Sequence, residues 1–153
     1  MAVGILWLLV HGLAIVVFVN RYLGGMAMRI IRGATWDEVD DGFVPTVTVI
    51  IPLFNEGASL EETLRTVLAS DYPRDKLRIV VVDDCSSDNS FELASRFASD
   101  QLVVKRNAHN VGKRRSIIDA VREADSEIIV SIDSDVIVEP DAIRELVRRF
   151  ARP

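Results

Sequence analysis

Asp133 and Asp135 flank a single serine in SIDSD (131–135). In an extended segment, residues two apart face the same side. Two carboxylates placed that way repel each other unless a cation or a proton lies between them. Hard oxygen donors with open positions suit Mg²⁺ or Mn²⁺ that also bridges a substrate phosphate. Upstream, Lys113, Arg114 and Arg115 follow Gly112. At a helix start, backbone N–H groups and nearby cations make an anion site, with a diphosphate as the obvious ligand. Three consecutive residues spread over roughly 200° of a helix, so all three cannot serve one site. Lys113, nearest the loop, is the first choice, and Arg114 is kept beside it.

Two further clusters complete the set. Asp83 and Asp84 close an apolar run in VVVDDCSSD (80–88). A carboxylate there could accept a nucleobase N–H, and alternation along a strand turns one of the pair inward and one outward. Pro52, Asn55 and Glu56 lie in PLFNE (52–56), after another apolar run. Each cluster alone also fits plain turn and cap chemistry. The aspartates could form a capped turn, the basic triplet a solvated face, and Ser86, Ser87 and Asp88 a helix cap.

The elements that must position these clusters alternate strand and helix. VTVII (47–51), stopped by Pro52, reads as a buried parallel strand. Residues 58–70 place Leu60, Leu64, Val67 and Leu68 on one helical face. Residues 78–83 form the second strand. A helix over 88–99 carries Phe91, Leu93, Ala94, Phe97 and Ala98, with Asp88 as N-cap. Residues 102–105 form the third strand. A helix over 113–124 turns Ile117, Ile118 and Val121 inward. Residues 127–133 form the fourth strand. A helix over 140–150 has Pro140 in its first turn and Ile143, Leu146, Val147 and Phe150 inward. The βαβαβαβα order predicts an α/β fold, a doubly wound and mainly parallel sheet with helices on both faces. All four polar clusters then fall at the carboxyl ends of strands, where such sheets bind ligands.

The remaining composition bounds the function class. The chain has 153 residues and a formal net charge of −5, which argues against a general nucleic-acid binder. One cysteine, Cys85, excludes an intrachain disulfide. Residues 1–19 carry no charged side chain, and Arg21, Arg29 and Arg32 follow. That length and flank predict one transmembrane helix over 1–28, with Trp7 and Tyr22 near the interfaces and His11 neutral. The positive-inside rule puts the rest in the cytoplasm and makes membrane lipid a partner. A signal peptide would instead carry its basic residues before the apolar run. A polar juxtamembrane linker over 29–45 follows, and the globular domain runs over 46–153. A receiver-type signalling domain would need its acid pair after the first strand. A nicotinamide-binding domain would need GxGxxG there.

With these motifs together, the chain resembles family-2 glycosyltransferases of the GT-A fold, whose nucleotide-binding half is Rossmann-like. It is similar to the processive membrane synthases of hyaluronan and of rhizobial chitin oligosaccharides, and more distantly to cellulose synthase. The likeness covers 46–150, and NVGKRRSIIDAVREADSEIIVSIDSDVIVEPDAI (110–143) is its specific part. VVVDDCSSD and IPLFNE are general to the wider family. The resemblance implies that Asp84, with Asp83, binds the uracil end of a UDP-sugar, and that Lys113 lies near the diphosphate. It implies that Asp133 and Asp135 form the DxD pair holding Mg²⁺ or Mn²⁺. Pro52, Asn55 and Glu56 would shape the nucleotide pocket. Ser116 stands where those synthases more often carry Ala. The implied reaction is inverting, metal-dependent transfer to a growing polysaccharide or other glycan acceptor, on a membrane enzyme facing the cytoplasm. The general base and the QxxRW-type motif are expected beyond Pro153, so these residues alone are expected to be inactive. The alternative is a non-catalytic nucleotide-sugar-binding or interaction module.

Overall fold

The computed structural model describes residues 42–151, together with Gly4, Trp7, His11, Gly12, residues 14–19, Arg21 and Tyr22. The chain divides into two units, Met1–Val39 and Asp40–Pro153. In the first unit the described residues are helical. His11 Nδ1 lies 2.9 Å from the Trp7 carbonyl, and the two rings stack at 3.8 Å. Among the described residues no helix is long and apolar enough to cross a membrane. Most of the expected span over 1–28 lies outside the described residues, as does the linker over 29–45 up to residue 41.

The second unit is built on four parallel strands: β1 (Val47–Leu53), β2 (Leu77–Asp83), β3 (Leu102–Arg106) and β4 (Ile128–Ser131). Their order is β3-β2-β1-β4. The chain steps outward from β1 to β3, then crosses back to the far side of β1, so the strand order reverses between β1 and β4. Four helices connect and follow them: α1 (Gly57–Leu68), α2 (Ser90–Ser95), α3 (Lys113–Glu123) and α4 (Ala142–Val147).

Alternation along the strands sorts the core into two layers. Val47, Val49, Ile51 and Leu53 join Leu77, Ile79, Val81 and Leu102 beneath α1, α2 and α4. Leu60, Leu64 and Val67 of α1 and Ile143 and Val147 of α4 close that layer. Burying each such side chain contributes about 1.5–3 kcal/mol. Ile50, Val80 and Val82 face the other way, against Ala120 and Ile117 of α3. One helix covers that face among the described residues, so only its inner stripe is buried. Ile118 and Val121, expected inside, are exposed for this reason. Leu146 and Phe150, also expected inside, are exposed too. The α-helix ends at Val147 and tightens to 3₁₀ over Arg148–Phe150, which breaks the 3.6-residue spacing assumed for Phe150; Leu146 lies within the α-helix itself and is left uncovered beside the buried Ile143 and Val147.

Several boundaries differ from expectation. β1 does not stop at Pro52 but runs to Leu53, with Pro52 and Leu53 opposite Val82 and Asp83. On the β4 side, Thr46, just before β1, accepts Ile128 N, and Ile50 accepts the N–H of Ile132, just after β4. Leu53 instead accepts Asp84 N on the β2 side. The donor that Pro52 lacks therefore falls on the β4 side, where the ladder ends at Ile50 and Ser131. β4 itself stops at Ser131, short of the expected 133. Pro140 precedes α4 instead of opening it, since Asp141 is the N-cap. The N-cap of α2 is Asn89, although Asp88 Oδ1 still accepts Ser90 N at 3.0 Å.

Candidate functional site at the carboxyl edge of the sheet

β1, β2 and β3 end in one row, because Leu53, Asp83 and Arg106 are register partners. The loops that follow are joined side to side. Asn55 Oδ1 accepts Ser87 N at 2.8 Å, and Asn55 N donates to Ser86 Oγ at 3.0 Å. Asn55 manages this with left-handed backbone (φ 55°), a conformation asparagine adopts more readily than most residues. Glu56 N donates to Ser90 Oγ at 3.0 Å. Gly57 follows because the two helix starts crowd there: a Cβ on it would lie 2.7 Å from Asn89 Oδ1.

Asp83 and Asp84 are both buried, at 0% and 3% exposure, so the expected inward–outward split does not occur. β2 ends at Asp83, and strand alternation no longer governs its neighbour. Asp83 pairs with Arg106 Nε at 3.2 Å and accepts Ser86 N. Arg106 also donates to the Ser86 carbonyl at 2.8 Å and lies 4.7 Å from the Phe91 ring centroid. Asp84 accepts Val111 N at 2.9 Å, Gly112 N at 2.7 Å and Asn107 Nδ2 at 2.8 Å. Burial works to raise the Asp84 pKa. The hydrogen bonds from Val111, Asn107, Gly112 and Ser116 outweigh it and hold the carboxyl below its ordinary value. Asp84 is thus the post to which the loop before α3 is tied. Gly112 turns that loop into the helix with φ 88°, a conformation that favours glycine.

Lys113 then opens α3 with its ammonium 2.8 Å from Asp133 Oδ1. The hydrogen bond to Asp133 raises the Lys113 pKa; desolvation opposes it, and the charges of Asp133, Glu56 and Asp135 add to it. Arg114 is exposed, and Arg115 is bonded to Asp119 on its own helix at 2.7 Å. Of the basic triplet, Lys113 alone is bonded across to another strand-end loop.

Asp133 and Asp135 do not lie on an extended strand, because Ser134 and Asp135 form a turn. The alternation survives by another route. Ser134 is buried while both aspartates are exposed. The Ser134 hydroxyl is bonded to the Glu56 carboxylate, and its carbonyl accepts Thr63 Oγ1 at 2.9 Å. The donor set fits a small hard cation. Among the described residues no group of three or more His, Cys, Asp or Glu could hold a metal. Two exposed carboxylates whose remaining positions go to water and phosphate oxygens are the arrangement Mg²⁺-type ions accept.

A small cavity of about 60 Å³ lies among Pro52, Leu53, Phe54, Glu56, Asp84, Lys113 and Ser134, between the ends of β1 and β4. A larger recess, about 710 Å³, lies at the opposite strand edge. It mixes Arg74, Lys76 and Arg78 with Asp75, Asp100 and Asp125 and gathers none of the four motifs. Switch-point chemistry favours the smaller one. The structure thus brings Pro52, Glu56, Asp84 and Lys113 around one crevice, with Asn55 and Asp83 bracing its wall; Asp133 is joined to it through Lys113, and neither Asp135 nor Arg114 lines it. Sequence reasoning missed Arg106, Asn107, Ser134 and Thr63. Ser116, noted only as departing from Ala, accepts Asn107 Nδ2 at 2.9 Å and is itself one of the groups that hold the Asp84 carboxyl low.

Residues 48–153 match the family described as Glycosyl transferase family 2. An N-acetylglucosaminyltransferase of Bradyrhizobium elkanii is 36% identical over 114 residues, covering 72% of this chain and 62% of that protein. A hyaluronan synthase of Streptococcus pyogenes is 35% identical over 112 residues, covering 68% of this chain and 26% of the synthase. A mannosyltransferase of Pyrobaculum calidifontis, solved with GDP-Man and Mn²⁺, superposes with a TM-score of 0.71 at 30% identity. That match covers 90% of this chain and 43% of the mannosyltransferase.

Proposed function

From the premise that the chain belongs to glycosyl transferase family 2, we propose that its carboxyl-edge crevice binds a UDP-sugar with Mg²⁺ or Mn²⁺ for inverting transfer to a glycan acceptor. The observation that carries this reading is the Lys113–Asp133 pair beside Asp135 at the strand-order switch. A cation and two exposed carboxylates at a helix start suit a metal diphosphate better than either charge alone does. A divalent ion there would supply Lewis-acid stabilisation of the leaving diphosphate. Lys113 would hold the diphosphate oxygens, and the N–H groups opening α3 would face the same charge. Asp83 and Asp84 would bound the base end of the donor. Because both already accept internal donors, they would act chiefly by fixing the loops around it. A base outside this group would take the proton of the acceptor hydroxyl.

The chain spans 62% of the first relative's length and 26% of the second's, so the complete transfer belongs to this proposal. The names of those relatives favour an N-acetylhexosamine donor and a polysaccharide or oligosaccharide acceptor. The uncharged residues 1–19 and the arginines after them support a membrane anchor with the domain facing the cytoplasm.

Calorimetric titration of the chain with UDP and with GDP, in Mn²⁺ and in chelator, tests the reading. UDP is expected to bind more tightly with Mn²⁺, and Asp135→Ala to remove that gain. Equal UDP affinity with metal and with chelator would sink the metal site. Tighter binding of GDP would overturn the choice of base.

A further inference from the structure

Two threonines on α1 hold both ends of the segment that carries Asp135. Thr63 Oγ1 donates to the Ser134 carbonyl at 2.9 Å. Thr66 Oγ1 accepts Val138 N at 3.2 Å and donates to the Thr63 carbonyl at 3.0 Å. Residues three apart on a helix are surface neighbours, so the two hydroxyls address one segment. The Ser134 hydroxyl is bonded to Glu56, the residue immediately before α1. Between these anchors Asp135, Val136 and Ile137 are exposed, in a stretch outside any strand or helix. No sheet ladder fixes their backbone; α1 does.

Thr63 is a polar residue on the buried face of α1. It is 1% exposed and lies in a row with Leu60, Leu64 and Val67. A buried hydroxyl in that row is costly unless it is hydrogen-bonded, and an apolar side chain would pack there without that demand. Its shorter bond, 2.9 Å, goes to the turn that presents Asp133 and Asp135 to solvent, and a longer one, 3.4 Å, to the Ser59 carbonyl of its own helix. We propose that Thr63 and Thr66 are positioning residues that hold Asp135 beside Asp133 in one orientation. The proposal rests on the metal-diphosphate reading of these aspartates. A ligand whose support is packed in advance loses less freedom when it binds.

The test uses the full chain carrying Thr63→Val or Thr66→Val, with Thr63→Ser as the rescue. Val67→Ala, which removes packing in the same helix but no hydrogen bond to the segment, controls for general destabilisation. Amide hydrogen exchange over 135–138 is measured without metal or nucleotide, and Mn²⁺ affinity by electron paramagnetic resonance. Thr63→Val and Thr66→Val are each expected to speed exchange there by about tenfold, as the loss of one hydrogen bond would. Mn²⁺ affinity is expected to fall severalfold with it. Thr63→Ser restores both, and Val67→Ala, at equal loss of melting temperature, moves neither. Unchanged exchange over 135–138 in folded Thr63→Val would overturn the proposal, and so would an equal change in Val67→Ala. If Asp135→Ala binds Mn²⁺ as tightly as the parent chain, the metal reading fails by itself. The exchange measurement still decides the role of the threonines.

Discussion

Lys113 Nζ lies 2.8 Å from Asp133 Oδ1, so the cation that opens α3 and the first carboxylate of the DSD turn neutralise each other across two loops. Their side chains are 60% and 54% exposed. An ion pair so open to water contributes about 0–1 kcal/mol to stability. Its value lies in placement, since each partner is already where a charged ligand would need it. On the proposed reading, little would be lost if Asp133 turned to a metal and Lys113 to a phosphate.

Lys113→Ala should therefore leave the fold almost untouched while weakening UDP binding by about tenfold, since a charge-assisted contact to phosphate is lost. Uridine, which has no phosphate, should bind the variant and the parent equally. Parallel calorimetric titrations of UDP and uridine check this. An equal loss for both ligands would mean that Lys113 acts on the base or on the fold.

Asp84→Ala should behave in the opposite way. It removes the acceptor of Val111 N, Gly112 N and Asn107 Nδ2 from a buried site. Buried donors left unpaired cost about 1–3 kcal/mol, and the charge-assisted bonds place this case at about 2–3 kcal/mol. The midpoint of urea unfolding should fall accordingly. A change below about 0.5 kcal/mol would show that the loop holds itself without this carboxylate.

Acid should reveal the same contact. The folded-state pKa of Asp84 lies below its unfolded value, so the unfolded chain takes up the proton first as pH falls. The stability Asp84 contributes is complete above the ordinary carboxylate range and is lost as pH drops through the lowered value. Melting temperature measured from neutral to acid pH should fall more steeply for the parent chain than for Asp84→Asn. Parallel curves would show that Asp84 is not the group responsible.

Residues 1–28 lead to a prediction about topology. A reporter fused after Pro153, of a kind active only in the cytoplasm, should be active if the arginines following the apolar run stay inside. Activity only from a reporter that works outside the membrane would reverse the assignment.

The alternation of strands and helices was legible in the sequence because β-branched runs and helical spacings are local signals. So was the gathering of four motifs at one edge, which follows from parallel connection alone. The partners of the buried acids were not legible. Asp83 meets Arg106 and Asp84 meets the Val111–Gly112 backbone, and each contact depends on how adjacent strands are registered. The out–in–out order of Asp133, Ser134 and Asp135 was anticipated from strand pleating, but it arises from Glu56 and Thr63 gripping Ser134 in a turn. Ile118 and Val121 were misjudged because periodicity finds an apolar stripe and says nothing of how wide a partner covers it.

Pro52 sits where β1 would otherwise offer β4 one more donor, and the β1–β4 ladder stops at Ile50 and Ser131. An atom missing from the main chain, a hydrogen on nitrogen, thus limits the ladder beside the crevice. On the proposed reading, side chains along the rim could suit one donor or another without altering that limit. A residue at position 52 able to donate would offer the β1–β4 ladder one further rung beside the crevice.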